Sequence, residues 1–260
     1  MSRLPARSLI MDLLVARRGM ALSSREAVRA GRLFSITPNA IRTALARLSA
    51  AELVSGDGHG NYRVGARATE LTDELRGWRQ LAERVVDWRG AFVAVHTGAL
   101  PRTDRPALRA RERALAMTGF RELERGLFLR PDNLADGVVG TRYRMRRRGL
   151  DANAPLFVAS SFDDETYRRI LGLWRDVDLN ERYREMAARI DAWLAQRPGQ
   201  ALEAAAHDVF LLGREALRAV VFDPLLPPPL VDVALRAAFV RRVVTLDDEA
   251  QRIWDTYLTS

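Results

Sequence analysis

Apolar residues recur at three- and four-residue steps from the beginning of the chain. Leu9, Ile10, Leu13 and Leu14 make one stripe within residues 6–18, which predicts an amphipathic helix stopped at Gly19. Ser23 and Glu26 stand at capping-box spacing, so a second helix starts at Ser23 or Ser24, with Ala27, Val28 and Ala30 as a small apolar face before Gly31. Thr37 then reads as an N-cap and Pro38 as a first helical residue whose missing N–H costs nothing, so a third helix begins sharply at 38. On its wheel Ile41, Ala44, Leu45 and Leu48 share one side, while Asn39, Thr43 and Ala46 lie opposite, flanked by Arg42 and Arg47. "LVSGDGHGNYRV" follows as two short strands around a glycine-rich tip, with Leu53, Val54, Tyr62 and Val64 available for burial. Three helices and a hairpin in this order predict a winged helix-turn-helix.

Residues 66–87 read as a further helix, its packed side formed by Leu71, Leu75, Trp78, Leu81, Val85 and Val86. From Trp88 the pattern changes. "GAFVAVHTG" is a buried strand, "RPALRARERALAMTG" a helix, "FRELERGLFLRPDN" two strands broken at Gly126, and "APLFVASSF" another strand, an order that suits a ferredoxin-like α+β sandwich. Beyond Asp163 the pattern is mostly helical, interrupted by "QRPGQ" and by "FDPLLPPPL", whose prolines forbid a helix. The expected fold class is therefore α+β in three parts: a winged helix-turn-helix with a linker helix over 1–87, a ferredoxin-like domain over 88–175, and a helical C-terminal domain over 176–260. In the last, Leu225, Leu226, Leu230, Val231, Leu235 and Phe239 exceed what a short helical segment easily buries alone, which marks it as the expected surface of a homodimer.

Composition narrows the function. A 48% apolar content supplies ordinary cores, and no run approaches the roughly 18 apolar residues of a membrane span. The N-terminal stretch is broken by Asp12 and lacks a small-residue cleavage site, so the expected location is cytoplasmic, with no membrane partner. There is no cysteine, and His59, His96 and His207 are scattered, so disulfide, thiolate and zinc chemistry are not expected, nor any cofactor. All 41 basic residues are arginine and outnumber 33 acids for a net +8, which suggests nucleic acid as partner.

The candidate chemistry follows from that balance. On the third helix Thr37, Asn39 and Thr43 are short enough for close approach to a groove, and Arg42 and Arg47 reach guanine edges or phosphates. At the hairpin tip His59, Asn61 and Arg63 would lie beside the DNA backbone or minor groove. "TRYRMRRRG" is the densest basic run. It reads either as a solvated loop or strand face or as an anion site for DNA or ligand phosphate. Trp78, Trp88, Trp174, Trp193 and Trp254 could line an aromatic pocket, though such residues more often close cores. The other class of function is a nucleic-acid-processing enzyme, since small CRISPR-associated nuclease-like proteins have ferredoxin-like domains. Those hold magnesium with an aspartate near the end of the first strand, whereas "AFVAVHTG" has no acid before Asp104.

Three stretches in order resemble one family. "TPNAIRTALARLSAAEL" with its hairpin, "GFRELERGLFLRPDN" and "VFDPLLPPPL" are similar to the phenylacetate-catabolon repressors of the PaaX type, and together they span nearly the full length. The resemblance implies a homodimeric transcriptional repressor of aromatic or related catabolic genes, bound to double-stranded operator DNA and released by an aryl- or acyl-coenzyme A thioester. Arg146, Arg147 and Arg148 are then the expected partners of the coenzyme A phosphates.

Overall fold

The computed structural model describes residues 4–69, 77–175 and 178–260. The chain is a mixture of helices and two small antiparallel sheets, an α+β fold. Its contacts group it into two units: residues 1–79, 187–221 and 240–260 form the first, and 80–186 with 222–239 form the second. The C-terminal stretch expected as one helical domain thus divides its residues between both.

In the first unit α1 (Ala6–Ala16) buries Leu9, Ile10, Leu13 and Leu14, the stripe its spacing predicts. A two-residue strand β1 (Leu22–Ser23) leads into α2 (Ser24–Leu33). The Ser23 hydroxyl accepts the Glu26 N–H and the Glu26 carboxylate accepts the Ser23 N–H, so the capping box is present in full. Helix α2 runs through Gly31 to Leu33, and α3 (Pro38–Ala50) approaches closely at that glycine: a Cβ there would lie 2.9 Å from Ile41 Cγ1. Ile41, Leu45 and Leu48 of α3 are buried against α1 and α2. The hairpin strands β2 (Val54–Gly56) and β3 (Asn61–Val64) pair antiparallel, and β3 also pairs with β1 through Leu22 opposite Tyr62, giving the order β1-β3-β2.

Part of the helix expected over 66–87 lies outside the described residues. Residues 66–69 are helical, but 77–84 form a 3-10 helix and Val85 makes an isolated antiparallel bridge to Leu134, so the segment leaves helical geometry before 87. Trp78 is buried as expected, whereas Val86 is exposed.

The second unit is a four-stranded antiparallel sheet, β4 (Phe92–His96), β5 (Arg121–Glu124), β6 (Leu127–Pro131) and β7 (Leu156–Ala159), in the order β5-β6-β4-β7. Helix α4 (Arg105–Met117) connects β4 to β5, and α5 (Gly137–Arg147) connects β6 to β7. Val93 and Val95 pack with Ala114, Leu115, Phe120, Met145 and Leu156, while Phe92, on the alternate positions of β4, meets Trp88, Phe162 and Tyr167 edge-on.

The remaining helices are α6 (Asp164–Gly172), α7 (Leu179–Gln196), α8 (Leu202–Val221) and α9 (Val233–Thr259), with the proline-rich turn between the last two. Here the expected dimer surface needs correction. Leu226, Val231 and Phe239 are buried within the chain, Phe239 stacked on Tyr183 with ring centroids 5.5 Å apart, so these three are not available to a second copy.

One carboxylate in the first unit makes stability pH-dependent. Burial pushes Asp12 up from 3.8 to about 6, and the Arg214 guanidinium, 3.0 Å away, only partly opposes this. Between those two values the folded chain holds a proton that the unfolded chain has released. Stability contributed by Asp12 is therefore present below 3.8 and lost as pH rises through about 6. Asp12→Asn removes this dependence, and comparing the two melting profiles across that window checks it.

Candidate nucleic-acid interface

The third helix starts where its residues require. The Thr37 hydroxyl accepts the Ala40 N–H at 3.3 Å and Pro38 occupies the first turn, so the helix direction is set by the short turn 34–37. With Ile41, Leu45 and Leu48 turned inward, Asn39, Arg42, Thr43, Ala46, Arg47 and Ala50 are exposed. These fall at steps of three and four, hence on one stripe. It contains no acid and nothing larger than an arginine. Among the described residues neither the Arg42 nor the Arg47 guanidinium has a hydrogen bond or ion pair, in contrast to Arg17 with Glu26 or Arg79 with Asp247 and Asp248. Charge is concentrated in the same segment: residues 1–69 hold eleven arginines against four acids, a net +7 of the whole chain's +8.

The hairpin tip is organised by Asp57. Its carboxylate accepts the Asn61 side-chain amide at 2.8 Å, the His59 N–H at 2.8 Å and the Asn61 N–H at 3.1 Å. These bonds, the Asn61 amide foremost, hold its carboxyl down at about 2, so it stays charged as a fixed acceptor across the tip. Two expected DNA ligands are thereby already engaged. The Asn61 amide faces Asp57, and the Arg63 guanidinium donates to the Gly19 carbonyl. Arg63 remains exposed, and a guanidinium has five donors, so that bond orients the group without using all of them. His59 is exposed.

The basic run 141–149 lies mainly on helix α5, rather than on a loop or strand face. Val138, Thr141 and Met145 are its inward positions, too few among the arginines for the period to stand out in the sequence. Its arginines are largely occupied at home. Arg142 donates to the Leu156 carbonyl at 3.0 Å, Arg144 pairs with Asp136, and Arg146 donates to the Ala152 carbonyl at 3.0 Å. Arg147 lies over the Tyr143 ring at 5.5 Å and donates to its hydroxyl at 3.1 Å, while Arg148 closes the helix. Arg146 and Arg147 are exposed and Arg148 half-buried.

Trp78, Trp174, Trp193 and Trp254 are buried and Trp88 is half-buried, so four of the five serve cores rather than an open aromatic pocket.

A second polar centre escaped the sequence reading, although its halves lie in "GFRELERGLFLRPDN" and "VFDPLLPPPL". Arg130 and Asn133 of "RPDN" are buried, and they reach the proline-rich turn. Arg130 donates to the carbonyls of Thr118 (2.9 Å), Pro131 (3.1 Å) and Pro224 (3.4 Å) and to the Asn133 side chain (3.1 Å), and Asn133 donates to the Leu225 carbonyl at 2.7 Å. Burial lowers Arg130 to about 10, which leaves it a cation held by neutral acceptors. Beside the turn Asp223 accepts the Tyr183 hydroxyl at 2.5 Å and the Leu225 N–H at 2.7 Å, and burial pushes its carboxyl upward. A charged residue between apolar strand positions was the available signal.

No protein-family model matches the chain, and no curated protein does. Among solved structures, the uncharacterized protein Rv0674 from Mycobacterium tuberculosis is similar over 95% of this chain and 98% of its own, at 20% identity and a TM-score of 0.60. At that identity the likeness is one of fold.

Proposed function

We propose that this chain is a sequence-specific, double-stranded-DNA-binding transcriptional repressor of a catabolic operon, and that residues 4–69 are its winged helix-turn-helix. The observation that carries the reading is the outward stripe of α3: short polar side chains and two guanidinium groups unpaired among the described residues, free of acids, on a helix whose other side buries Ile41, Leu45 and Leu48. The element order α1-β1-α2-α3-β2-β3, the tip fixed by Asp57, and the excess of arginine before residue 70 support it. The strand-helix-strand-strand-helix-strand order of the second unit, with its central β6 and β4, supports a ferredoxin-like fold there. Following the resemblance, the repressor works as a homodimer and an acyl- or aryl-coenzyme A thioester releases it. Arg146, Arg147 and Arg148 supply guanidinium groups for the phosphates, in exchange for the local carbonyl and hydroxyl partners of Arg146 and Arg147.

The reading is tested by titrating the full chain with duplex DNA at increasing salt. Arginine–phosphate contacts release counterions, so affinity falls steeply, on the order of a thousandfold between 50 and 200 mM salt for a protein making six or more such contacts. A flat salt response, or no binding, defeats it.

A further inference from the structure

Resting on the DNA-binding reading above, we propose that α8 and α9 are working parts of the DNA-reading unit, with His207 and Phe210 acting as positioning residues that seat Phe34 and thereby set the direction of α3. Phe34 closes α2, and the chain then turns through Ser35, at φ +54, and buried Ile36 to the Thr37 cap. Whatever holds Phe34 therefore sets where α3 starts. Its ring stacks on His207 with centroids 5.1 Å apart and an interplanar angle of 30°, and meets Phe210 at 5.0 Å and 55°. His207 Nδ1 lies 2.9 Å from Asp208 Oδ1, which fixes the imidazole against rotation.

The contact continues back to α2. Phe210 packs on Trp254 at 5.8 Å, Trp254 on Tyr257 at 5.7 Å, and the Tyr257 hydroxyl donates to the Arg29 carbonyl at 3.1 Å. The Arg29 guanidinium lies 4.8 Å from the centre of the Tyr257 ring and donates to Ser260 Oγ at 2.8 Å. Helix α2 is thus gripped at two points by residues more than 170 positions away in sequence: at Arg29 by α9 and Ser260, and at its cap Phe34 by α8. Because Gly31 brings α2 against Ile41, any shift of α2 is passed to α3 without slack.

None of these aromatic residues lies on the exposed stripe of α3. Loosening them tilts the reading helix without deleting a phosphate contact. Sequence-specific affinity should fall while non-specific affinity and its salt slope persist.

The experiment uses the full chain and two duplexes: one enriched by the wild-type protein from a randomised library, and its scrambled counterpart. His207→Ala should weaken binding to the enriched duplex about tenfold, the scale of one lost aromatic stack, with binding to the scrambled duplex and the salt slope unchanged. His207→Phe, which keeps a flat ring against Phe34, should restore it. The proposal is overturned if His207→Ala binds the enriched duplex as tightly as wild type, or if it loses both duplexes in parallel with a lowered melting temperature and His207→Phe does the same. Failure of Arg42→Ala and Arg47→Ala to affect either duplex would instead remove the DNA-binding reading itself.

Discussion

Alanine at both 42 and 47 should lower affinity for the enriched duplex by about a hundredfold while the protein stays folded, if α3 reads DNA as proposed. Each arginine is exposed and, among the described residues, unpaired, so neither contributes an interaction to the fold that alanine would remove. Alanine also has the higher helix propensity, so α3 itself should not weaken. In the proposed complex with DNA the position is reversed. A guanidinium placed bidentately on a guanine edge is worth about 1–3 kcal/mol of discrimination, and two of them together about 3 kcal/mol in total affinity, or two powers of ten. Arg42→Lys separates the two ways an arginine can act, since lysine keeps the charge but not the planar fork. It should keep the salt slope and lose base preference. Titrations in fluorescence anisotropy, with circular dichroism to confirm the fold, measure both.

Asn133→Ala should be among the most destabilising single substitutions in the second unit, by about 3–5 kcal/mol. Its side chain is wholly buried and does two things at once. It accepts from the Arg130 guanidinium and donates to the Leu225 carbonyl. Alanine leaves a buried acceptor without its donor, at about 1–3 kcal/mol, and takes a partner from a buried cation, which costs more. Native-state hydrogen exchange of the β4 and β6 amides reads the opening of this unit directly. A loss below about 1 kcal/mol would mean that water or a neighbouring group replaces Asn133 at no cost, contrary to the network described.

How far the sequence was legible depended on how locally each feature was encoded. The Ser23–Glu26 box and the Thr37–Pro38 start involve partners three residues apart or fewer, and both appear where the spacing put them. Strands β4, β6 and β7 were legible because their apolar runs are bounded by Gly90, Gly98, Gly126 and the loops that follow, and β5, with Leu123 its single apolar residue, by its place before Gly126. Helix α5 was hidden, because its inward positions are only Val138, Thr141 and Met145 and the arginines between them mask the period. The outward stripe of α3 could be read from the wheel. Nothing local could foretell that Asn61 would turn to Asp57, that Arg63 would meet the Gly19 carbonyl 44 residues away, or that Phe34 would rest on His207. Those are long-range pairings or choices between competing acceptors. The same limit explains Leu226, Val231 and Phe239, whose apolar character was evident but whose partners inside the chain were not.

Selection of duplexes by the wild-type chain from a randomised library tests the central claim most directly. A dimer presenting two α3 helices should enrich an inverted repeat whose half-sites are about one helical turn, or a multiple of it, apart, and Arg42→Ala should relax the enriched sequence at one position in each half-site. Retention of duplexes with no sequence enriched over the input, or with the same sequence enriched by wild type and Arg42→Ala alike, would contradict the assignment of α3 as the reading helix.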